Sequence, residues 1–173
     1  MVAYSFQKRF VPHILAGLEP GPWLPGMKRH TLRTPRDGRS RHARPEQMLQ
    51  LYTAQRTKYC RLLGRPVCRA AFHVQLLWDC GELSIRRAPG AAAPRSYVAQ
   101  LAPIVRRLLD EPAGKHFVGD DMDEFARTDG FADRADMARF FEVPEDEGET
   151  QWLPRVLIAW APGHPVDVSG GGL

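Results

Sequence analysis

Apolar periodicity in this chain never holds for long. Each patterned segment ends in proline, glycine or charge, which restricts the fold to short elements. Tyr4 and Phe6 alternate as in a strand; from Phe10 the spacing changes to Val11, Ile14 and Leu15, which suits a short helix. Pro12 fits the first turn of that helix, and Gly17 is a natural residue just past its end. LEPGPWLPGM (18–27) then places three prolines and two glycines in ten residues, a loop anchored by Trp23. KRHTLR (28–33) follows, and after it an arginine-rich second loop, TPRDGRSRHARP (34–45).

Further on, Leu49, Leu51 and Thr53 alternate with Met48, Gln50 and Tyr52, the period of a strand. Residues 60–78 supply one or two more strands, broken near Gly64, Arg65 and Pro66, and 82–87 is a strand entered through a turn at Gly81. Residues 96–110 carry Val98, Leu101, Val105 and Leu108 at helical spacing, with Pro103 either kinking the helix or marking its start. A short helix is expected over 121–130, where acids crowd the first turn and Gly130 ends it. Another follows with Asp133 as N-cap, and 153–162 is a closing strand. The expectation is one α+β or small-barrel domain over residues 1–162 with a flexible tail at 163–173.

At 173 residues and 43% hydrophobic composition, such a domain can bury a core without metal or disulfide help. No run of eighteen apolar residues exists, and the amino terminus lacks the apolar stretch of a signal peptide. Three cysteines (Cys60, Cys68, Cys80) without a C-x-x-C pair read as reduced thiols in a cytoplasmic protein. A zinc site using Cys60, Cys68 and a histidine is the alternative, though the spacing is irregular and the six histidines show no HExxH pattern. No metal or other cofactor is therefore expected, and a monomer is assumed. A phosphate-binding glycine loop is also missing, which argues against an ATPase or dinucleotide enzyme.

Charge is distributed unevenly. Residues 1–69 hold 14 Lys or Arg against 3 acids, a balance of +11, whereas residues 70–173 hold 10 against 17, a balance of −7. Such asymmetry suits a nucleic-acid face, since each neutralised phosphate releases counterions. The alternative is a basic half that merely neutralises the acidic half. Arg36, Arg39, Arg41, His42 and Arg44 form a loop suited to RNA backbone contacts, and Arg56, Lys58 and Arg61 extend it. Tyr52 or Trp23 can stack a base or serve as core and loop anchor.

Three features together resemble the ASCH domain of the PUA-like superfamily, as found in small bacterial and phage members. They are the helix ending ILAG (14–17), the Lys-x-x-Thr-x-Arg segment at Lys28, Thr31 and Arg33, and Ala126-x-x-Asp129-Gly130-Phe131 ahead of a helix and a last strand VLIAW. The run 41–61 also resembles that group. The resemblance implies a small PUA-like β-barrel flanked by short helices, with a cleft used for RNA; residues 88–119 read as an insertion with an added helix. It further implies an amidohydrolase acting on N4-acetylcytidine, a ribonuclease or a non-catalytic RNA-binding module. Thr31 matches the nucleophile, Lys28 the basic partner, and Asp129 the position of an acid one methylene longer; Arg29 and Arg33 flank them. The loop at 18–26 and the insertion depart from the family pattern.

A threonine hydroxyl needs an adjacent base, and a lysine serves only if its pKa is lowered by burial or neighbouring cations. Arg29 and Arg33 push Lys28 that way, and Asp129 pushes back. On an extended strand positions 28 and 31 face opposite sides, so their cooperation requires a bend between them. Asp129 sits at a helix C-terminus, the unfavourable end of the dipole, where an acid most simply faces water. His30 is open between base, ligand and strand residue.

Overall fold

The computed structural model describes residues 1–36, 41–79, 81–89, 101–112, 114–143 and 152–163. Strand β1 (Val2–Phe6) leads through a 3-10 turn (Lys8–Phe10) into helix α1 (Val11–Leu18). Then come β2 (His30–Arg33), β3 (Leu49–Thr53), β4 (Arg61–Gly64), β5 (Cys68–Asp79) and β6 (Glu82–Arg87). The rest is α2 (Pro103–Asp110), β7 (His116–Phe117), α3 (Gly119–Thr128), α4 (Arg134–Phe141) and β8 (Leu153–Trp160). The fold is α+β.

One sheet has the order β1-β3-β4, with β1 parallel to β3; the other runs β2-β8-β5-β6-β7 and is antiparallel throughout. Central β8 is buried from Arg155 to Trp160, which explains its nearly unbroken apolar sequence. The long β5 instead alternates, turning Cys68, Ala70, Phe72, Val74 and Leu76 inwards. The sheets join along one side, where Met48 bridges to Val67, and Val67 accepts from the Ala161 amide at 3.1 Å. On the other side β1 and β2 share no ladder; an Arg33 guanidinium donates to the Ser5 carbonyl at 2.9 Å instead. No closed barrel ladder exists among the described residues.

Among the described residues, α1 to α4 all contribute to one apolar cluster with both sheets. Ile14 and Leu18 of α1 are fully buried in it, which stabilises by about 1.5–3 kcal/mol per side chain. Helices α3 and α4 pack on β6, and α2 on α3. No helix of the described residues is long and apolar enough to cross a membrane.

One expected element changes, and one open choice is decided. Gly17 is not the residue beyond α1 but lies inside it, where an added Cβ would meet the Lys28 carbonyl oxygen at 2.1 Å. Its missing side chain lets the Lys28 backbone lie against the helix. Pro103 is the true start of α2, matching the tolerance of a first helical turn for proline; positions 96–100 lie outside the described residues, as do the tail from 164 and Cys80.

Candidate functional site

The Lys28 amide donates to the His13 carbonyl at 2.9 Å, and the Arg29 carbonyl accepts from the Trp160 amide at 2.9 Å. This pins the chain between α1 and β8 just before β2 begins at His30. Lys28 thus precedes the strand, and the required bend is present: Lys28 and Thr31 line the same cleft.

Asp129 arrives from the far end of the chain. It caps α3, and Gly130 beyond it has φ +88°, a conformation glycine adopts freely. Phe131 N–H returns to the Ala126 carbonyl at 3.0 Å and Gly130 N–H to Arg127 at 3.1 Å, the two bonds of a Schellman turn. That turn aims Asp129 inwards rather than at water. The Lys28 ammonium donates both to its carboxylate and to its backbone carbonyl. Positive charge therefore meets the α3 C-terminus, a favourable pairing with the dipole. Lys28 is 2% exposed and Asp129 1%.

Burial dominates the charges. It pushes Lys28 down to about 8, against the raising pull of Asp129, with Arg33 and Arg9 adding to the fall. Burial raises the Asp129 carboxyl, opposed by Lys28, by Arg33 and by a backbone hydrogen bond from Leu32. His30 lies behind the pair, its Nε2 3.7 Å from the Asp129 carboxylate and its ring against Phe125. Burial, then the Lys28 charge, hold His30 well below its usual value, so it is neutral; its Nε2 has no hydrogen-bond partner among the described residues.

Around this pair opens a cleft of about 470 Å³. Thr31 presents its hydroxyl there, with a single long contact to the Leu32 carbonyl at 3.5 Å. Arg33 and Arg155 supply guanidinium groups, each with an Nε lacking a hydrogen-bond partner among the described residues. Phe10, Phe131 and Phe140 form the apolar wall, packed edge-on or tilted at centroid distances of 5.2–5.6 Å. The Arg9 guanidinium covers all three rings and pairs with Asp136 at 3.0 Å. An ammonium, a hydroxyl, a carboxylate and two guanidiniums beside an aromatic wall suit a planar, polar, anion-bearing ligand.

The other expected contacts separate. Arg29 is not part of a nucleic-acid face: it is buried and donates to the carbonyls of Gly17, Gly21 and Glu19, bracing the 18–27 loop. Trp23 anchors that loop through the Met27 carbonyl at 2.8 Å. Arg36, Arg41 and Arg44 are exposed around a second, smaller cleft of about 240 Å³ against β5 and β8. His42 lines it too, but its ring nitrogens are engaged within the chain, with the Tyr4 hydroxyl at 3.3 Å and the Thr34 carbonyl at 2.8 Å. The Nε2–H tautomer satisfies both, so His42 braces the loop. Arg39 lies outside the described residues.

Arg56, Lys58 and Arg61 do not extend that cleft; they are exposed on and beside the β3–β4 turn, near a third hollow. Among the described residues no three His, Cys, Asp or Glu gather as a metal site, so Cys60, Cys68 and a histidine do not form one. Cys68 is instead buried, which pushes its thiol up to about 12. Sequence reasoning missed Arg155 and the phenylalanine wall of the main cleft. Arg155 interrupts an apolar strand, the one signal that pointed to it. Neither family models, nor curated proteins, nor solved structures yield a match to this chain.

Proposed function

We propose that the main cleft binds a cytidine-like nucleoside, free or within RNA, and hydrolyses an acyl group from its exocyclic nitrogen. The observation that carries this reading is the convergence of Lys28, Thr31 and Asp129 on one basic hollow with an aromatic wall. The parallel β1–β3 pair, the two sheets joined at Val67 and the helix-bound Lys28 segment support a PUA-like, ASCH-type architecture as the scaffold.

In the proposed chemistry the Thr31 hydroxyl adds to the amide carbon while the Lys28 amine accepts its proton. The resulting oxyanion lies near Arg33 and Arg155, whose guanidiniums stabilise developing negative charge. Collapse breaks the C–N bond, and Lys28 returns the proton to the departing amine. Water, activated by the same lysine, then cleaves the threonine ester to release the carboxylic acid. A base near pKa 8 is matched to work around neutral pH.

A second reading, an RNA-binding module without catalysis, is favoured by one observation: Lys28 is bonded to Asp129, not to Thr31. Incubation with N4-acetylcytidine separates the two. Release of cytidine and acetate by the wild type, lost in Thr31→Val, supports the hydrolase. An inert wild type that binds RNA with strong salt dependence leaves the binding module. Cleavage of labelled RNA with the nucleoside untouched points to a nuclease.

A further inference from the structure

The turn between β3 and β4 does nothing for the cleft chemistry, yet it is held firmly. Thr53 Oγ1 donates to the Phe6 carbonyl at 3.2 Å, and the Gln55 amide donates to Ser5 Oγ at 3.2 Å. Thr57 Oγ1 donates to the Ala54 carbonyl at 2.8 Å and accepts from the Tyr59 amide at 3.1 Å. Ala54 and Arg56 both sit at positive φ, +52° and +69°, an uncommon conformation for residues other than glycine.

The result of this bracing is that Tyr59 stands out from the surface, 69% exposed. Its ring borders a hollow of about 600 Å³ formed with Ser5, Phe6, Gln7, Thr53 and Ala54. Ser5, Phe6 and Gln7 also line the main cleft, so the two hollows adjoin the same stretch of chain at the end of β1. Lys58 Nζ lies 5.1 Å from the Tyr59 ring centroid and Lys8 lines the hollow, while Arg56 and Arg61 are exposed close by in sequence.

We propose that Tyr59 is the stacking platform of a second subsite, which takes the base adjoining the one in the main cleft. This rests on the nucleoside reading above and sharpens it: the ligand is a single strand of at least two nucleotides. An aromatic face accepts any base, while flanking lysines and arginines neutralise the phosphates between them. Charge favours this occupant over an apolar protein segment, because Lys8 on the lining and Lys58 beside the ring place positive charge where the phosphates of a polyanion would run.

Two probes test it, hexacytidylate RNA and free N4-acetylcytidine, with wild type, Tyr59→Ala and Tyr59→Trp. Tyr59→Ala should weaken hexacytidylate binding roughly 5- to 150-fold and leave N4-acetylcytidine binding unchanged. Tyr59→Trp should retain wild-type affinity for the hexamer. Because the residue is exposed, loss of folding is not expected to confuse the result. If N4-acetylcytidine behaves normally but hexamer affinity ignores Tyr59, this inference falls alone and the hollow is left to an apolar protein segment. Failure of the wild type to bind N4-acetylcytidine at all overturns the reading of the main cleft, and the subsite with it.

Discussion

Replacing Lys28 by methionine isolates the electrostatics of the site from its packing. Methionine keeps most of the buried stem, so little cavity forms, but the Asp129 carboxylate loses the ammonium beside it while remaining fully buried. Breaking a buried pair in this way costs about 3–5 kcal/mol, and the Arg33 charge acting on Asp129 places the expectation near 3. With a total stability of roughly 5–15 kcal/mol, the variant still folds.

The loss must also depend on pH, and its sign follows from proton counting. In the wild type, Lys28 at about 8 keeps its proton in both states up to about neutrality, and its charge opposes the rise of the Asp129 carboxyl. In the variant, burial of Asp129 is opposed only by Arg33 and the Leu32 backbone hydrogen bond, so its carboxyl rises further above the ordinary 3.8 and the native state holds a proton that the unfolded chain has released. Its relative stability is therefore greatest below 3.8 and falls as pH rises through the native value, by up to about 1.4 kcal/mol per unit. Urea melts of both proteins from about pH 5 to about pH 7, below the range where wild-type Lys28 itself titrates, measure this. A difference that stays flat with pH would refute the reasoning. So would a Lys28→Met/Asp129→Leu double variant as unstable as the single one, since removing both charges should be neutral or stabilising by about 1–4 kcal/mol.

Other outcomes can be checked alongside. On the hydrolase reading, kcat/KM for N4-acetylcytidine rises with pH through a limb near 8, because only the free Lys28 amine is a base; a profile flat across that limb removes lysine from the role. Arg29→Met should cost about 1.5–3 kcal/mol and open the 18–27 loop to limited proteolysis, without changing the salt slope of RNA binding. Gly130→Ala forces φ +88° on a side chain whose Cβ lies 3.0 Å from Phe10, so thermal denaturation should show a loss of about 1–3 kcal/mol. Arg36→Gln, Arg41→Gln and Arg44→Gln should each reduce the log–log salt slope of single-strand binding by about 0.7; an unchanged slope would free that arginine from phosphate contact.

Local pattern made several elements legible. The Tyr4–Phe6 alternation is β1, the apolar run at the end is β8, and Asp133 caps α4 by accepting from the Asp136 amide at 2.7 Å. The break between two strands at Gly64-Arg65-Pro66 also follows from turn chemistry. What escaped was set by contacts distant in sequence. Gly17 reads as a helix terminator, but its purpose is the close approach of Lys28. Arg29 stands among cations and reads as surface, yet the carbonyls of the proline-rich loop bury it. Asp129, beside a glycine at a helix end, points inwards because of the Schellman turn. Tyr59 has no periodic neighbours, so only its exposure in the folded chain marks it.

The Lys28–Asp129 pair also limits how Thr31 can be activated. An ammonium has three protons, and two of them are committed to Asp129, one to its carboxylate and one to its carbonyl. One remains for the hydroxyl, but that arrangement donates to Thr31 rather than accepting from it. A base appears only when Lys28 gives up a proton, and the nearest acceptor is the carboxylate already bonded to it. Burial drives both groups the same way, lysine down and aspartate up, so each moves toward the uncharged form. A ligand that expels water from the cleft adds to that desolvation. Binding would then itself lower Lys28 further, so that it gives up its proton at a lower pH than in the free protein. The kcat limb, which reports the bound complex, should accordingly fall below the kcat/KM limb; limbs that coincide would show that the ligand leaves the pair as it found it.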